Sequence, residues 1–209
     1  MKKVIFTLLF TFFATIIFAQ DIKAVKADLD KKQLDKAKTD IDALIAKSPD
    51  DGEAQYYKAK VYEQIASSDQ FKNLAPDGRE QAFEAFKKAI ADSNNVKVKV
   101  AIIKDSYAPV FNLYTGYYEA AAAAFNAAAP TGNKAGFEDA MNLFIKADNI
   151  GHYIAENNWS KIADVDTTLV LNIGKAALNA GKNDVAMIYF KKLADAGING
   201  TKDGGEGNA

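Results

Sequence analysis

The chain has 209 residues, 49% hydrophobic and 25% charged, with 13 Gly, 4 Pro and no Cys. Such proportions exclude a disordered or collagen-like chain and fit one sizeable core or a short array of repeats. A formal charge of −1, with Arg79 as the only arginine, lacks the basic face and arginine forks of a nucleic-acid binder. Without cysteine there is no disulfide framework, thiol nucleophile, zinc–thiolate site or lipid-modified cysteine.

The first element is a targeting segment. Lys2 and Lys3 precede an apolar run from Val4 to Ala19, interrupted only by Thr7, Thr11 and Thr15. A basic start, a short apolar stretch and a small residue at its end predict a secretory signal over 1–19, cut after Ala19. The alternative is a retained membrane anchor, but spanning needs roughly 20 apolar residues. Removing the segment takes away two lysines and moves the charge from −1 to −3. The remaining chain is expected to be exported, periplasmic or cell-surface associated, and without an integral membrane span.

From Gln20 onward almost every apolar stretch has helical spacing. Leu34, Ala37, Ile41, Leu44 and Ile45 recur at three and four residues, with Lys and Asp between them. Ser48-Pro49-Asp50-Asp51-Gly52 ends that helix, and Ala54, Tyr57, Val61 and Ile65 begin the next pattern. Further breaks fall at Pro76-Asp77-Gly78 and Pro130-Thr131-Gly132. Residues 96–103 are the best strand candidate, although Lys97, Lys99 and Lys104 suit a solvated helix equally. Asp148, His152 and Glu156 share one helical face, yet Asn149 and Gly151 argue against a continuous helix there. The expected organisation is a signal over 1–19, an all-α domain over 20–200 and a flexible Gly-rich tail over 201–209.

One phrase recurs: Ala, a large apolar residue four on, then Ala or Leu three further. It stands as Ala37/Ile41/Leu44, Ala82/Phe86/Ala89, Ala140/Phe144/Ala147 and Ala186/Phe190/Leu193. A partner phrase precedes it, most clearly in Val170, Ile173, Gly174 and Ala177. In these residues the chain resembles the tetratricopeptide repeat family, whose pattern is W-x2-L-G-x2-Y, then A-x3-F, then P, in units of about 34 residues. The best match runs over 167–200, where Gly174 and Ala186 keep the family's spacing of twelve. The first repeat keeps it as well, from Val25 to Ala37, and ends at Pro49, although Asp28 replaces the usual aromatic. In the second and third repeats the spacing grows to 23 (Ala59 to Ala82) and 25 (Thr115 to Ala140), so each carries an insertion. The resemblance implies an all-α helix–turn–helix repeat solenoid of about four helix pairs, two of them enlarged. The competing reading is an irregular helical bundle. Stacked repeats usually end in a polar capping helix. Here a Gly-rich tail follows the fourth, so either the array continues or a partner covers its last face.

Catalytic signatures are sparse. No Gly-rich phosphate loop follows a strand, and no serine sits in a G-x-S-x-G elbow. The acidic pairs Asp50/Asp51 and Asp164/Asp166 lie in turn-like stretches. A single histidine with two carboxylates is a poor ligand set, so neither metal nor cofactor is expected. A hydrolase hidden in the helical insertions is the least favoured reading.

The resemblance also implies a concave groove lined by the first helix of each repeat, holding an extended peptide or partner helix. The residue after the small packing position faces that groove: Lys26, Lys60, Gly116 and Lys175, with Asn112 and Asn172 nearby. Family members that clamp a peptide's terminal carboxylate use Lys and Asn in this manner. Ammonium and amide donors would suit an acidic protein or peptide partner. The plainer alternative is that these lysines belong to a solvated face. Tyrosines crowd residues 107–118, and Tyr117 is expected at the surface, where with Trp159 it would stack on sugars or a partner. The leading expectation is therefore an exported, non-enzymatic protein- or peptide-binding scaffold. The alternative is a carbohydrate-binding component of a cell-envelope uptake system.

Overall fold

The computed structural model describes residues 22–92, 95–160 and 166–197. The expected signal over 1–19 and the tail over 201–209 lie outside the described residues, as does Asp164. Among the described residues the chain is all-helical, with no strand. It divides into two compact bodies, Met1–Phe111 and Asn112–Ala209.

The first body holds α1 (22–30), α2 (Leu34–Lys47), α3 (Gly52–Ala66), α4 (Gly78–Ala91) and α5 (Val96–Lys104), and the first turn of α6 (Ala108–Ala128). Local chemistry sets the helix starts. Asp51 caps α3 by accepting a hydrogen bond from the Ala54 N–H at 2.9 Å. Asn95 caps α5 through the Val98 N–H at 3.3 Å. Consecutive helices pack together, α2 on α3 and α3 on α4, while α5 lies against α3 and α4. Val25, Ala37, Ile41, Ala59, Ala82 and Phe86 are fully buried between them. Between Ala59 and Ala82, residues 67–77 loop out around a 3₁₀ turn at Lys72–Leu74.

The second body contains the rest of α6, then α7 (Lys134–Glu156), α8 (Thr167–Ala180) and α9 (Asn183–Asp195). Between Thr115 and Ala140 the chain takes another form. Helices α6 and α7 run to 21 and 23 residues and are joined by a short 3₁₀ turn that ends at Gly132, with φ 64°. Tyr118 packs edge-on to Phe144 and Phe125 to Phe137, at ring separations of 5.5 and 5.0 Å. The run of Ala on α6 leaves a slim surface for such approach. Helix α7 passes unbroken through Asn149 and Gly151, contrary to the break expected there. A Cβ on Gly151 would meet Tyr114 at 3.2 Å, so that glycine serves close packing rather than a helix end. Residues 96–103, the strand candidate, are helical in α5.

All twelve residues of the recurring phrase are buried except Phe190, which is half-buried. At Gly174 a Cβ would stand 2.5 Å from Phe190 Cε1, so the two phrases of this helix pair meet directly. No helix among the described residues is long and apolar enough to cross a membrane.

Candidate binding cleft

Two of the six predicted groove residues come together. Lys26 of α1 and Lys60 of α3 line one cleft of about 490 Å³ in the first body, with Leu29, Asp30, Lys32, Tyr57 and Gln64. Helix α3 contributes a stripe: Tyr57, Lys60 and Gln64 are spaced three and four apart and so share a face. Both ammonium groups stand over the Tyr57 ring, Lys26 Nζ at 4.6 Å and Lys60 Nζ at 5.6 Å from its centroid.

Neither ammonium is bare. Lys26 Nζ donates to Glu53 Oε1 at 3.1 Å, and Lys60 Nζ donates to Asp105 Oδ2 at 2.5 Å. Asp105 Oδ2 also accepts from the Tyr56 hydroxyl at 2.8 Å. Burial acts to lower the Lys26 pKa, but the Glu53 hydrogen bond and the Tyr57 hydroxyl outweigh it and raise the group above its ordinary value. Burial would likewise lift the Asp105 carboxyl, yet the donors on Lys60 and Tyr56 hold it below the usual range. An ammonium carries three donors. Lys26 engages the Tyr57 side chain as well as Glu53, and Lys32 and Gln64 line the same cleft.

The other predicted residues lie in the second body. Asn112 is exposed on α6, and Lys175 is exposed on α8. Asn172 is half-buried, and its Nδ2 donates to the Tyr118 hydroxyl at 3.1 Å. Tyr117, expected at the surface, is only 5% exposed, and the Lys146 ammonium stands 5.7 Å from its ring centroid. The physical reason is that α6 is covered on the side that carries Leu113, Tyr117 and Ala121, spaced at four and all buried. Trp159 is half-buried and sits edge-on to Tyr153 at 5.4 Å.

Carboxylates in this body have structural partners. Asp166 Oδ1 caps α8 through the Leu169 N–H at 3.0 Å, and its Oδ2 accepts from the Tyr114 hydroxyl at 2.5 Å. Asp148 is buried, with Lys192 Nζ and the Tyr189 hydroxyl each at 3.4 Å and His152 Nε2 at 3.5 Å. Among the described residues no three His, Asp or Glu side chains converge to hold a metal.

Sequence reasoning missed Lys32, Tyr57 and Gln64. The helical spacing of Tyr57 and Gln64 from Lys60 was available as a signal. Lys32 was not, because it is carried by a turn residue with φ 58°. No family model, curated protein or solved structure matches this chain.

Proposed function

We propose that this chain is an exported, non-enzymatic scaffold with a tetratricopeptide-like solenoid fold that binds an acidic protein or peptide segment. One observation carries the reading: Lys26 and Lys60, on the first helices of two successive helix pairs, share a single cleft with Lys32, Tyr57 and Gln64. Their ammonium groups, gathered at the buried Tyr57 ring, would hold a carboxylate by charge-assisted hydrogen bonds. Export is supported by the basic start and apolar run over 1–19.

Titration calorimetry of the full chain against acidic peptides, with free or amidated C-termini, tests this. Lys26→Gln with Lys60→Gln should weaken binding roughly tenfold or more, since hydrogen bonds to charged groups contribute about 1.5–3 kcal/mol each. Unchanged affinity in that variant, or affinity indifferent to ionic strength, would overturn the cleft as the site. The sugar-binding alternative has lost one of its two platforms, because Tyr117 presents no free face.

A further inference from the structure

Helix α5 has an apolar side that the fold leaves uncovered. Val98 and Ile102 are buried, whereas Val96, Val100 and Ile103 are 70, 58 and 62% exposed. At 100° per residue the three exposed side chains fall within an arc of about 60°, with Lys99 on one flank and Lys97 and Lys104 on the other. All three lysines are exposed, and Lys104 also acts electrostatically on the neighbouring Asp105 carboxylate. The helix contains no acidic residue, and Asp105, which follows it, is already held by Lys60 and Tyr56. A chain of formal charge −1 thus concentrates three positive charges around one apolar stripe.

Helix propensity does not account for this sequence, since valines at 96, 98 and 100 are poor helix formers. Burial of Val98 and Ile102 holds the helix in place, while the opposite side is available for something else. Protein interfaces are enriched in aromatic residues and arginine and depleted in lysine. This stripe has lysine and aliphatic side chains only. Aliphatic residues flanked on both sides by long ammonium stems match a helix lying at a lipid headgroup boundary, where the lysines reach out to anionic headgroups.

We propose that α5 is a peripheral membrane-contact element, docking Val96, Val100 and Ile103 shallowly into an anionic bilayer surface steered by Lys97, Lys99 and Lys104. The site is separate from the Lys26–Lys60 cleft, so the two readings stand or fall independently. The attachment is reversible, because three aliphatic side chains and three charges make a weak anchor.

The absence of cysteine permits a site-specific test on the full chain. An environment-sensitive NBD fluorophore is placed at Val100→Cys, or at exposed Asp139→Cys of α7 as control. With vesicles containing phosphatidylglycerol, the Val100 label should brighten and shift to the blue while the Asp139 label stays unchanged. Pure phosphatidylcholine vesicles should leave both unchanged. Exchanging all three lysines for Gln, substitutions at exposed positions, should weaken the response roughly tenfold or more. An equal response to neutral vesicles would overturn the proposal. So would sedimentation of the chain with vesicles while the Val100 label stays silent, which would place contact elsewhere in the sequence. A response without vesicles that grows with protein concentration would show a second copy covering the stripe, and would also overturn it.

Discussion

Asp105 follows the last residue of α5 and accepts hydrogen bonds from two side chains of α3, Tyr56 and Lys60. Those donors hold its folded-state pKa below the unfolded value of about 3.9. The stabilisation is therefore complete above that ordinary value and disappears as pH falls through the folded-state pKa. Asp105→Asn should cost roughly 1 kcal/mol at pH 7, since the pair is only partly shielded from solvent. Urea unfolding followed at pH 7 and again at pH 3 checks the linkage. The wild type should lose more of its midpoint than the variant, and parallel losses would show that the ion pair contributes nothing. Tyr62 belongs to the same kind of arrangement: burial and the Asp42 carboxylate push its hydroxyl up to about 12. Such pairings were not legible in the sequence. Nothing in the spacing of residues 56, 60 and 105 announces that they meet, because only tertiary packing brings them together.

At the level of helix pairs, α8 and α9 approach closely at Gly174. Gly174→Ala would drive a Cβ to within 2.5 Å of the Phe190 ring, forcing the ring or the helix to move. Overpacking of this kind costs about 1–3 kcal/mol, against a gain of roughly 1 kcal/mol from better helix propensity. Thermal melts should show a lower midpoint for Gly174→Ala and partial recovery when Phe190→Leu is added. Additive losses in the double variant would mean the two residues are uncoupled. Periodicity made this contact readable: Gly174, Ala186 and Phe190 stood at the spacing that lets a small residue accept a large one. The two insertions were visible as well, but their structures were not. Residues 67–77 carry Pro76 beside polar side chains and loop out. Residues 120–129 are mostly Ala, the best helix former, and lengthen α6. Similar gaps in spacing thus conceal opposite local chemistry. Tyrosines crowding a helix suggest exposure for some of them, but Tyr117 falls on the buried row with Leu113 and Ala121 while Tyr114 and Tyr118 are half-buried.

Across the whole molecule the chain folds as two bodies with separate cores, and Trp159, the single tryptophan, belongs to the second. Tryptophan fluorescence therefore reports on that body, while far-UV circular dichroism reports on both. In Gly174→Ala the fluorescence transition should move to lower denaturant ahead of the dichroism transition, and coincident curves would identify one cooperative unit. The charge pattern has a molecule-wide logic too. With 26 basic and 27 acidic residues, several ammonium groups find carboxylates at home, and the cleft lysines are among them. The pairing at Lys60 subtracts one positive charge from the cleft that we propose attracts an anion. Evolution or an engineer who neutralised Asp105 would weaken the fold and strengthen the cleft's pull in one step. At that carboxylate, durability and appetite for ligand are set against each other.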